Sequence, residues 1–138
     1  MLRLIAAVVA GVLVGIVVTA GVEMIGHQLF PHASGLDLHD PAHARTAIAS
    51  LPAGALWFVV GGWFFGGLAA GWVAGSIEHS HVAAAIAGGV LMGAGISTML
   101  SIPHPLWMWV IGVLLPIPSA LLGASLAPKR KSATPKAA

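Results

Sequence analysis

The chain has no cysteine, and only six Lys and Arg and four Asp and Glu among 138 residues. The missing cysteine removes disulfides, thiolate metal sites and cysteine nucleophiles at once, and leaves the redox compartment open. The shortage of charge excludes a water-facing surface. Soluble domains carry about 25% charged residues, against 7% here. The signatures of common catalysts are also missing. There is no Gly-x-Ser-x-Gly elbow, no phosphate loop and no dinucleotide fingerprint, and the histidines lack the clustered spacing of a membrane di-iron enzyme. No enzyme is expected, and no cofactor is required. The basic pI comes from residues at the two chain ends, which reads as membrane topology and not as a nucleic-acid surface.

What is present is apolar: 58% of the residues are hydrophobic. A spanning helix needs roughly 20 apolar residues, and four segments supply them, at about 4–25, 53–77, 82–100 and 106–126. Their residues do not alternate apolar and polar, which excludes a transmembrane barrel. The links after the second and third segments, "EHS" with His81 and "SIPHP", are short. These helices are therefore antiparallel neighbours, and the expected fold is all-α: an integral membrane four-helix up-down bundle. Residues 1–128 form this one domain. Residues 129–138 read as a disordered, basic, cytoplasmic tail.

Lys and Arg set the orientation. Arg3 precedes the first helix, and Lys129, Arg130, Lys131 and Lys136 follow the fourth, while only Arg45 lies between helices. An even number of spans then places both termini in the cytoplasm of a bacterial inner membrane, with the long first loop and the "PHP" turn on the periplasmic side. Trp57, Trp107 and Trp109 fall near the outer interface and Trp72 near the inner one, as an aromatic belt would. Trp63 is deeper and is expected between helices. The alternative is that residues 1–20 are a cleaved leader ending in "VTA". Against it, the apolar run continues past Ala20, and "GVLVG" is a packing motif that a discarded segment would not need.

Glycine is dense, with 18 residues. Gly11 and Gly15 in the first helix, Gly62 and Gly66 and then Gly67, Gly71 and Gly75 in the second, and Gly89 and Gly93 in the third all recur every four residues. That spacing lines small residues along one helix face, so that backbones approach closely where lipid supplies no hydrophobic drive. The same pattern serves packing within one bundle or a seam between copies. The partners expected are thus the lipid bilayer and either a second copy or another membrane protein. Pro116 and Pro118 should kink the fourth helix.

The polar residues gather on one side. From Leu4 to Glu23 the helix rises roughly 28 Å at about 1.5 Å per residue, which puts Glu23 at or just inside the outer hydrocarbon boundary. His27 lies one turn further on the same face, within hydrogen-bonding reach. The first loop adds His32, Asp37, His39, Asp40, His43 and Arg45, and the third adds His104 between two prolines. Within that first loop, "LHDPAHARTAIASLP" reads as a short amphipathic helix on the outer interface, with Asp40 as N-cap and Pro41 at its first position.

Three uses of this cluster are open. It can be structural, with Glu23 and His27 tying the first helix to loop backbone or to Arg45. It can be a proton-coupling site built on Glu23, His27, Asp37, Asp40 and His104, since a carboxylate in low dielectric beside an imidazole has a route for a proton. It can be a metal site for zinc, copper or nickel, with Glu23, His27 and His104 as ligands and His43 or Asp40 as a fourth. The spacing matches no established metal signature.

"VEMIGH…P…GLDLHD" followed by "IPHPLW" resembles a group of uncharacterised short bacterial membrane proteins with four predicted spans. The likeness covers about residues 4–126, implies no activity, and singles out Glu23, His27, Asp37, Pro103, His104 and Trp107. The "VEMIG" segment is also superficially similar to the first helix of small multidrug-resistance transporters. Those have four short helices and a membrane glutamate, and they exchange protons for cationic drugs as dimers. Here the first loop is longer and histidine-rich, and the glutamate comes later in its helix. The sequence therefore leads to a small non-enzymatic membrane component acting by packing with itself or a partner. A proton-coupled or metal-handling transporter is the alternative.

Overall fold

A computed structural model describes residues 1–31 and 48–128. All regular structure among them is helical: α1 (Leu2–Leu29), α2 (Ala53–Glu78), α3 (His81–Ser101), α4 (Leu106–Leu114) and α5 (Pro116–Leu126). Four stretches are long and apolar enough to cross a membrane, the fourth being α4 and α5 in series. This is the make-up of a multi-pass membrane protein. Of the expected amphipathic loop helix, all but the last residues lies outside the described residues, as does the 129–138 tail.

Local chemistry sets the boundaries. α1 runs four residues beyond its expected end at 25, because nothing interrupts it before Pro31; Phe30 ahead of that proline leaves the helical region at φ −123°. The longer helix keeps His27 on its last turn. α2 starts after Pro52 and stops at His79, which adopts the left-handed conformation, φ 54° and ψ 34°. Its N–H returns to the Gly75 carbonyl at 2.8 Å. Ser80 then caps α3, accepting a hydrogen bond from the Val82 N–H at 3.1 Å. At the far end Ile102 is extended before Pro103. The fourth span breaks at Leu115, where "PIP" begins. Pro116 and Pro118 have no N–H for the carbonyls of Gly112 and Leu114, so the helix restarts there with Pro116 at its first position.

The interior is built from small residues. Ala7, Ala70, Ala74, Ala83 and Ala87 are fully buried at its inner end. Large apolar side chains such as Leu13, Val17, Phe65, Leu100 and Leu114 stay exposed. Water would penalise that arrangement. Lipid does not, and close backbone approach then supplies the attraction between helices. α2 contacts every other helix, most extensively α1 and then α5. Along α1 and α2 the partners run in opposite directions. A Cβ at Gly11 would stand 2.6 Å from the Ala70 carbonyl oxygen, one at Gly15 would stand 3.0 Å from that of Gly66, and one at Gly62 would stand 3.2 Å from that of Thr19. α5 lies parallel to α2, with Gly67 against Ser119, Gly71 against Ala120, and Gly75 against Ala124. Gly89 and Gly93 on α3 differ: a Cβ there would meet nothing within 4 Å.

Arg3 fastens the inner end. Its Nε donates to the Ile77 carbonyl at 2.7 Å, and Nη2 donates to the same oxygen. The guanidinium also lies 3.4 Å from Glu78. A cation there satisfies terminal carbonyls of α2 and complements its dipole. The sequence gave Arg3 a topological role alone.

Candidate functional site

In its loop-side half the fold does not close. Four residues of α1, one per turn, face a gap: Ile16, Thr19, Ala20 and Glu23. Val59 and Trp63 of α2 form its floor, and Leu91, Ala94, Gly95 and Thr98 of α3 its opposite wall. His104, Gly112 and Pro116 complete it. The cavity measures about 280 Å³, just below the usual range for small-molecule sites. Its walls are mainly apolar, with Glu23 and His104 as its two ionisable groups.

Each polar group is placed by its own element. Thr19 donates to the Gly62 carbonyl at 3.0 Å, and the glycine leaves room for the Glu23 side chain to lie over α2. Glu23 is part-buried, and no hydrogen bond holds its carboxylate among the described residues. Its electrostatic partner is His27, one turn on. No hydrogen bond joins the pair. His27 is exposed, and the two residues share a separate cavity of about 60 Å³ with Gly26 and Phe58.

His104 is held differently. Its Nδ1 lies 2.6 Å from the Ile102 carbonyl oxygen. A carbonyl only accepts, so Nδ1 carries the hydrogen, and Nε2 of the neutral ring is left as an acceptor. Trp63 flanks the imidazole at 6.4 Å between ring centroids. On its other side His104 borders a larger space of about 590 Å³, lined by Pro103, Pro105, Met99 and Trp109. Trp57 and Trp107 stack nearby at 5.3 Å.

The fold thus brings Glu23 and His104 to one cavity and leaves His27 beside it. Asp37, Asp40 and His43 lie outside the described residues. Among the described residues no three His, Asp or Glu side chains converge to hold a metal ion. Sequence reasoning missed Thr19, Trp63, Thr98 and Gly112 as cavity residues. Thr19 carried a signal, since it precedes Glu23 by four residues on one helix face. The other three carried none. Glu78, His79 and His81 lie at the opposite end, where His79 and His81 border a cleft of about 220 Å³ with Ser125.

No family model, no curated protein and no solved structure matches this chain.

Proposed function

We propose that this is a non-enzymatic four-span protein of a bacterial inner membrane that takes a small solute into the cavity beneath its periplasmic face. One observation carries the reading: Glu23 and His104, 81 residues apart in sequence, line the same cavity. A carboxylate at hydrocarbon depth is costly and is usually turned toward a partner or a functional cavity. Here it is turned to a cavity and left without a hydrogen bond. Both groups accept, the carboxylate by its charge and His104 through Nε2, so the solute they fit presents donors on an apolar body. Exchange of a proton for that solute would make the protein a transporter. Handling of zinc, copper or nickel would need a further ligand beyond this pair.

The Lys and Arg at the chain ends support cytoplasmic termini. Glycine seams between α1, α2 and α5 hold the bundle around the cavity in this reading. A second reading, assembly with another copy, is favoured by α3. Gly89 and Gly93 face open space, and exposed Ser97 and Ser101 continue the four-residue spacing. Both serine hydroxyls donate to their own helix, at 3.0 Å each, so the stripe is small and internally satisfied.

Native mass spectrometry of the protein released from nanodiscs of its own membrane tests both readings. A small-molecule adduct present in the wild type and lost in Glu23→Ala/His104→Ala is expected. Bare protein in both would defeat the solute reading. The subunit count in the same spectrum decides the second.

A further inference from the structure

The cavity is a slot between α1 and α3, and its lips belong to the outer surface of the fold. Ile16, Ala20, Ala94 and Thr98 line it and are also exposed, Ile16 to 49%. These positions lie well inside spans, where the surrounding solvent is hydrocarbon. The slot narrows inward. At its foot α1 and α3 meet, where a Cβ at Gly15 would stand 2.8 Å from the Leu91 side chain. Beyond that crossing the buried alanines, covered by Leu4, Val8, Val12 and Ile77, close the interior. Polarity is graded along the same axis. Glu23, Thr98 and His104 are at the loop end, and Ile16 and Leu91 are at the foot, roughly 10 Å away at about 1.5 Å per residue along α1.

We infer that the occupant is an amphiphile that arrives from the bilayer through this flank, a proposal that rests on the solute reading above. Its head group presents hydrogen-bond donors to Glu23 and His104. Its short apolar chain lies in the slot against Ile16, Val59 and Leu91. The depth grading matches the way an amphiphile already sits in a membrane, head at the interface and chain inward. Binding therefore needs no transfer of the chain through water. A water-soluble polar solute would face exposed apolar lips and a closed foot, with no benefit from either.

Because the chain has no cysteine, a single thiol reports on the slot without further changes. Gly95→Cys is the reporter, since a Cβ at Gly95 meets nothing within 4 Å. Ala94→Cys is the second slot position, and Ser101→Cys, at the end of α3, is the reference. The protein is placed in phosphatidylcholine vesicles. It is labelled with N-ethylmaleimide, which enters the bilayer, or with a trimethylammonium methanethiosulfonate, which does not.

Relative to the reference, the charged reagent should label residue 95 more slowly by at least about tenfold, because a fixed charge is disfavoured in hydrocarbon. Monooctanoylglycerol in the bilayer should slow maleimide labelling several-fold. Methyl octanoate, which has the same chain and no donor, should not. Protection should vanish in Glu23→Ala/His104→Ala, with labelling at 101 unchanged as the sign of an intact fold. Equal access for the charged reagent would overturn the lipid route while leaving a water-filled site for a solute. Protection by both compounds, by neither, or persisting in the double variant would overturn head-group recognition. If neither reagent reaches residue 94 or residue 95, the slot is closed and the solute reading fails with this one.

Discussion

Replacing Gly71 by alanine adds one methyl group at the closest crossing in the fold. Gly71 is buried on α2, and an added Cβ would fall on the Ala120 carbonyl of α5, with the Ala120 Cα at 2.6 Å. Ordinary van der Waals contact begins at 3.4 Å. The obstacle is backbone, so no rotamer change relieves it, and α5 must retreat by roughly 0.8 Å or more. A radial gap of about 0.5–1 Å forfeits a quarter to a half of each dispersion well. The retreat would loosen the rest of the seam as well, including Gly67 against Ser119, Gly75 against Ala124 and Gly123 against Leu68. Overpacking of this kind costs about 1–3 kcal/mol, and a rigid backbone obstacle places Gly71→Ala at the upper end. The matched control is Gly89→Ala on α3, where the new methyl meets nothing. Its expected effect on folding is near zero or slightly favourable, by up to about 1 kcal/mol from helix propensity. Reversible unfolding in detergent–lipid bicelles, followed by helical circular dichroism, measures both. Equal stability of the two variants would refute the close α2–α5 approach.

Other outcomes follow from single contacts. His79→Gly should stabilise the protein by about 1 kcal/mol in the same unfolding assay, since the left-handed conformation costs a side-chain-bearing residue roughly that much; His79→Val should do the reverse. Arg3→Ala should destabilise by no more than about 1 kcal/mol because the pair is half exposed, and Glu78→Gln in the same chain should recover part of it. The reason is that the buried Glu78 Oε2, which has no hydrogen bond, loses its neighbour. Gly93→Leu should leave the monomer's unfolding midpoint unchanged but lower the subunit count by native mass spectrometry if α3 is the seam between copies. Ser132→Cys should react with an impermeant maleimide only in permeabilised cells and Ser34→Cys in intact ones; the opposite pattern would reverse the proposed orientation.

The chain's own composition determined its solvent. Ten charged side chains cannot cover a surface in water, and runs of about 20 apolar residues have one stable conformation in lipid. The number of spans and most of their ends were legible for that reason, since Pro31, Pro52, Pro103 and Pro105 act through local backbone sterics. The break at Leu115 was legible as a kink at "PIP". The extension of α1 to Leu29 was not, because helix continuation past a charged residue depends on what surrounds the last turns.

The glycine spacing in α1, α2 and α3 is the same four-residue repeat, yet the first two lie against neighbouring backbone and the third faces open space. Periodicity fixes which residues share a face; tertiary packing decides which face finds a partner. Glu23 carries the same lesson. Sequence placed it at a depth and beside His27, both consequences of one helix's rise and period. Its position opposite His104, over a floor of Val59 and Trp63, depends on where three other helices stand. Such a site is an intersection of elements distant along the chain, and no local pattern encodes it.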